Sequence, residues 1–191
     1  MRRMLAIGAL SFATVACTTV DPDRGDPDVL SAGLEAQMNR YVQRIQAGNR
    51  ETLQWDLTHL SAFGRYASER VGDDLLTSKN PRVRSNAVFV LSEIYRMDGD
   101  PQALDLIRSV MDDASPDVRL EAARALLETG DATGVPELIG GLRSPTWAVR
   151  KISHDTLKSA SGSSFGYNAD GAVASRDAAI QRYEAWYRNQ G

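Results

Sequence analysis

The side chains of this sequence best placed to do chemistry are four basic residues on one short stretch, Arg150, Lys151, His154 and Lys158. At 100° per residue in a helix they fall at about 0°, 100°, 40° and 80°, on one face and opposite Val149 and Ile152. On a chain of formal net charge −3, such a stripe offers electrostatic holding of an acidic or anionic partner surface. Arg82, Arg84 and Arg124 are candidates to extend it. The alternative is structural, with Arg150 bonded inside the fold and the lysines forming a solvated face. Other reactive groups are sparse. His59 and His154 are far apart in sequence and Cys17 is the single cysteine, so no zinc-type ligand spacing can be drawn. No serine lies in a G-x-S-x-G elbow, and no glycine loop able to cradle phosphate precedes a helix. The expectation is a non-enzymatic protein with no catalytic residue, no cofactor and no metal.

The elements that must carry these residues recur along the chain. Asn80-Pro81-Arg82-Val83-Arg84, Ser115-Pro116-Asp117-Val118-Arg119, and Ser144-Pro145 running on to Val149-Arg150 repeat one pattern. From Val83 to Val118 is 35 residues and from Val118 to Val149 is 31, intervals that signal stacked helical units. Asn80, Ser115 and Ser144 read as N-caps, each followed by a proline whose missing N–H costs nothing at the first helical position.

Apolar residues at helical spacing then give four helix pairs. The first holds Met38, Tyr41, Val42 and Ile45, then Leu53, Leu57, Leu60 and Phe63. The second holds Ala67, Val71 and Leu75, then Val83, Ala87, Val90, Leu91 and Ile94. The third holds Leu104, Ile107, Val110 and Met111, then Val118, Ala122, Leu126 and Leu127. The fourth holds Val135, Leu138, Ile139 and Leu142, then Val149, Ile152 and Leu157. Gly140-Gly141 falls inside a predicted helix, where close helix packing explains it better than phosphate binding. No stretch alternates with period two for long enough to argue a strand. The fold expected is all-α, an α-solenoid of about four helix pairs closed by a C-terminal capping helix.

The segment from Asp113 to Leu126 resembles a HEAT repeat of the short bacterial kind, which is also found in phycobilisome lyases. The likeness covers residues 65–160. It implies a ladder between neighbouring units, formed by an Asp in the inter-helix turn and an Arg six positions later, a spacing matched by Asp113 and Arg119. Ser78 before Arg84 and Ser144 before Arg150 depart from that pattern, so the ladder is expected to be incomplete. The fourth unit also reads as expanded by two residues, Thr146-Trp147. The resemblance further implies that second helices line a concave groove, which would put the basic stripe inside it.

At the N-terminus, Arg2 and Arg3 precede an apolar run from Met4 to Ala16, shorter than the roughly 20 residues a spanning helix needs. Thr14-Val15-Ala16-Cys17 resembles the lipobox of bacterial lipoproteins, with Thr14 where that family usually has Leu. The resemblance implies diacylation and cleavage at Cys17 and acylation of its new amine; Thr18 after it implies the periplasmic face of the outer membrane. Two or more acyl chains make a stable anchor. Removing Arg2 and Arg3 takes the formal charge from −3 to −5, which argues against nucleic acid. Residues 17–32 are rich in Asp and Pro and poor in apolar surface, a tether able to hold the body up to about 40–50 Å from the membrane at roughly 3.3 Å per residue. The chain thus divides into a signal peptide (1–16), the lipidated cysteine and tether (17–32), the repeat domain (33–162) and a cap (163–191).

In the cap, Phe165 and Tyr167 precede a helix bearing Ala179, Ile180, Tyr183, Trp186 and Tyr187. The aromatics are expected to cover the open end of the last repeat. The functional expectation is a membrane-anchored scaffold or assembly adaptor that holds an envelope protein with an acidic surface through its concave face. A cell-wall glycan or small-ligand module is the alternative, favoured by an exposed Trp147. A lyase-like pigment protein is a further one, opposed by the signal sequence.

Overall fold

The computed structural model describes residues 30–189. The signal sequence, Cys17 and the tether up to residue 29 lie outside the described residues. Nine α-helices follow in order: α1 (Ala32–Ala47), α2 (Leu53–Ser61), α3 (Arg65–Val71), α4 (Pro81–Asp98), α5 (Pro101–Ser109), α6 (Pro116–Glu128), α7 (Val135–Gly141), α8 (Trp147–Ser161) and α9 (Val173–Arg188). A π-helical turn, Gly72–Leu76, extends α3, and a 3-10 turn, Ala132–Gly134, leads into α7. No strand occurs among the described residues. Consecutive helices pair, and the second helices α2, α4, α6 and α8 pack side by side in that order, so the all-α solenoid is the fold observed.

Local chemistry sets the helix ends. Asn80 accepts the Arg82 N–H at 3.0 Å, and Asp100, ahead of Pro101, accepts that of Gln102 at 3.2 Å. Gly162 stops α8 at φ 71°, a left-handed conformation that glycine takes without strain. The cap expected at Ser144 is corrected, because α8 begins at Trp147 with Thr146 in the cap position. Ser115 stands at the start of α6 but makes no capping bond through its side chain.

What repeats is the turn before the cap. Ser78 Oγ, Asp113 Oδ1 and Ser144 Oγ accept the N–H groups of Asn80, Ser115 and Thr146 at 3.2, 2.8 and 3.1 Å. In all three units the cap lies two residues after that acceptor, and Arg84, Arg119 or Arg150 six after it. The fourth unit is therefore not expanded. Its proline has moved, preceding the cap as Pro145 where Pro81 and Pro116 follow theirs.

The core forms two apolar clusters. One runs from Met38 to Leu126 and includes Ile45, Leu60, Leu91, Ile94 and Ile107; the other joins Ala123 to Val135, Leu138, Leu142, Leu157, Ile180 and Tyr183. Helix α6 is the wall between them, turning Val118, Ala122, Ala125 and Leu126 to the first and Ala123, Leu120 and Leu127 to the second. Each fully buried Leu or Ile contributes about 1.5–3 kcal/mol.

The predicted core positions of the first three units are buried or packed against the core, and the fourth departs. Ile152 is 43% exposed and Val149 only half-buried, while Ser153, Thr156 and Leu157 face inward. Laying α6 on α8 at the 31-residue step explains this. Ala122, Ala123, Ala125 and Leu126 become Ser153, His154, Thr156 and Leu157, so the inward face of α8 is set by register and not by apolarity. Gly141 faces Ser153, and a side chain there would run into the Ser153 hydroxyl; Gly140 has open space, so close packing accounts for one of the two glycines.

A candidate interaction surface

The arginines six residues after each turn form a continuous ladder. Arg84, Arg119 and Arg150 each donate to the main-chain carbonyl six positions back, Ser78, Asp113 and Ser144, at 2.7, 2.7 and 2.9 Å. The rest of each guanidinium reaches forward. Arg84 forms a bidentate pair with the Asp113 carboxylate at 2.7 Å twice, Arg119 reaches Glu137 at 3.2 Å, and Arg150 reaches the Ala169 carbonyl of the cap at 3.0 Å.

The expectation of an incomplete ladder is corrected. The acceptor at the turn is main chain, so serine serves as well as aspartate, and the Asp113 side chain belongs to the preceding unit's arginine. Arg84 together with the Ser115 N–H holds the Asp113 carboxyl below the usual carboxylate range.

The basic stripe does not survive as one surface. Arg150 is spent on the ladder and on a further bond to the Pro145 carbonyl at 2.9 Å. His154 turns inward, its ring 5.1 Å from that of Tyr167 and its Nδ1 3.2 Å from the Tyr183 hydroxyl. Lys151 is exposed and paired with Asp155 at 2.5 Å, and Lys158 is exposed. At the 31-residue step, Lys151 and Lys158 occupy the positions of Leu120 and Leu127, which in α6 face the next unit. The two lysines thus mark the end of the stack, where no further second helix arrives, and a polar outer face is what a terminal repeat requires.

Farther along the second helices the basic residues are matched by neighbours. Arg96 pairs with Glu93, and Arg124 with both Glu121 and Glu128. Arg82 is exposed at the start of α4. Two depressions of about 240 Å³ each share Glu128: one lies against Ser92, Arg96 and Thr129, the other against Leu127, Thr156 and Ser159. The surface is shallow and close to charge-balanced, which suits a broad macromolecular contact better than enclosure of a small molecule. Among the described residues no group of three or more His, Cys, Asp or Glu could hold a metal ion.

Two exposed tryptophans complete the picture. Trp147 is 48% exposed at the start of α8, one turn before Lys151. Trp55 on α2, which the sequence reasoning missed, is 52% exposed. It stacks on His59 at 3.7 Å, meets the edge of Tyr41 at 5.4 Å and lies 5.6 Å from the Arg44 guanidinium. Arg44 is fixed in turn by the buried Asp56, which also accepts from Thr52 at 2.8 Å. The signal available in sequence was Trp55 and His59, four apart and so neighbours on one helical face.

Stacked helix pairs, joined at each turn by an arginine reaching from one unit to the next, define an α-helical repeat protein. No curated relative matches the chain. A family model described as HEAT repeats matches residues 62–158, just over half of the chain, and the chain belongs to the HEAT-repeat family.

Proposed function

We propose that this protein is a non-enzymatic interaction scaffold, held at the periplasmic face of the outer membrane by lipid on Cys17, that grips an envelope protein along its second helices. Repeats of this family commonly mediate protein–protein interaction. The observation that carries the reading is the face built by α4, α6 and α8, with ion pairs and shallow depressions in place of an enclosed cavity. The lipid anchor is supported by the Thr14-Val15-Ala16-Cys17 sequence and the Asp-rich tether that follows it. No helix among the described residues is long and apolar enough to cross a membrane, so attachment of the body would fall to the lipidated cysteine.

Of the four stripe residues, Lys151 and Lys158 are the ones exposed to meet an acidic partner. The test is crosslinking and capture from envelope membranes with the full-length lipoprotein, against a folded Lys151→Glu, Lys158→Glu double variant. A partner captured by the native chain and lost from the variant supports the reading; equal capture moves the surface to Trp55 or the Glu128 depressions. Cys17→Ser should release the protein from membranes. A second reading, a cell-wall glycan module, is favoured by the exposure of Trp147. It predicts that muropeptide fragments quench tryptophan fluorescence in the native chain and not in Trp147→Ala.

A further inference from the structure

The position facing the next unit is Val88 in α4, Ala123 in α6 and His154 in α8. Val88 and Ala123 are fully buried, and His154 is half-buried between the ring of Tyr167 and the hydroxyl of Tyr183. That hydroxyl has a single proton and gives it to the Ser163 carbonyl at 3.1 Å. Nδ1 of His154 must then carry the imidazole proton and donate it to the Tyr183 oxygen. The lone pair is left on Nε2, so protonation there keeps both bonds and places a full charge in an aromatic contact. Phe165, at φ 47° and edge-on to Tyr183 at 4.8 Å, is the third ring of that contact.

We propose that His154 is a proton-operated latch on the C-terminal cap: neutral, it holds the 163–171 loop and α9 against α8; protonated, it lets them loosen and uncovers the Phe165, Tyr167 and Tyr183 surface.

The charged groups around it are Arg150, Lys151, Asp155 and Lys158 on α8, with Tyr167 from the loop and Tyr183 from α9. Burial is the main influence lowering the affinity of His154 for a proton, Lys158 and Lys151 act the same way, and Asp155 opposes them. A histidine harder to protonate in the folded chain than in the unfolded one stabilises fully above the ordinary value of about 6.5. That contribution fades as pH falls through 6.5 and levels off below the depressed value. The other fastenings of the cap, Arg150 to the Ala169 carbonyl and Tyr167 to the Leu142 carbonyl at 2.6 Å, do not titrate in this range. Protonation therefore loosens the cap and leaves the repeats intact.

The test is hydrogen exchange of the Ala179, Ile180 and Tyr183 amides in the full chain from pH 7.5 to 5.0, corrected for the intrinsic pH dependence, with imidazole titration by NMR. Opening of α9 should rise by a factor of about three to ten in the native chain, tenfold corresponding to one unit of depression. It should change less than twofold in His154→Gln and in His154→Ala, the latter carrying the side chain α6 has at Ala123. His59→Gln should keep the native response. A flat response in the native chain, an equal rise in His154→Gln, or a His154 midpoint at or above 6.5 would overturn the latch. The glutamine variant keeps a polar side chain and carries the test should the alanine variant fail to fold.

Discussion

Helices α6 and α8 are the same element laid down 31 residues apart, and they bury opposite chemistry. Both keep the Val-Arg start, the ladder arginine and a fully buried leucine, Leu126 or Leu157. Between those fixed points α6 turns in Ala122, Ala123 and Ala125, where α8 turns in Ser153, His154 and Thr156. The cause is position in the stack. Helix α6 is covered on both sides by other repeats, while α8 has a repeat behind it and a loop with three aromatic rings ahead. Of the polar groups turned inward on α8, Thr156 is satisfied by the Ile152 carbonyl at 2.9 Å and His154 by Tyr183, and the Ser153 hydroxyl has no partner. The body is locked by apolar fit and the end by specific polar and aromatic contacts, so the two should fail under different conditions.

The comparison breaks most sharply at Tyr183, which is fully buried. Tyr183→Ala should cost about 3–5 kcal/mol and detach α9; urea denaturation should then show a lower midpoint, with exchange protection lost in α9 before α4. Next comes the ladder in the body. Asp113→Ala strips Arg84 of its bidentate partner and the Ser115 N–H of its acceptor, at a cost of about 2–3 kcal/mol in the same denaturation series. Ser144→Ala, at the equivalent turn, should cost under about 1 kcal/mol because Arg150 uses only main-chain oxygens. Ser153→Ala is expected to be neutral or to stabilise by about 1 kcal/mol, since it removes a buried unpaired hydroxyl and restores the residue α6 has at Ala122.

The smallest effect is the separation in pH. The Asp113 carboxyl is held low in the fold, so its contribution is present above the ordinary carboxylate value and is lost only as pH falls below about 4. The His154 contact should already weaken below about 6.5. Circular dichroism of the body and exchange in α9, followed together down the pH scale, should therefore part company between those values.

Much of this was legible because apolar side chains at helical spacing carried it. Met38, Tyr41, Val42, Ile45, Val83, Ala87, Val90, Leu91 and Ile94 are all where the periodicity puts them. The errors have one source, reading chemistry from a residue's type where its register decided. Ile152 was assigned to the core because it is apolar, and His154 to an outward stripe because it is basic; counting 31 residues from Ala122 and Ala123 reverses the placement of His154. The ladder was judged incomplete for want of carboxylates, when the acceptors are carbonyls that every residue type supplies. The pairing of Trp55 with Tyr41 and Arg44 joins two helices, and no spacing within either one reveals it.

The last contact of the ladder, from Arg150 to the Ala169 carbonyl, has a consequence for how such a chain can grow. Each unit ends in a guanidinium seeking an oxygen from whatever follows, and in the body that oxygen comes with a further unit bearing another guanidinium. The cap supplies the oxygen and brings no successor. It is a chain terminator in the polymer sense, indifferent to how many units precede it, and one that could be transplanted onto a longer or shorter array provided the array ends in Arg150's place with an arginine.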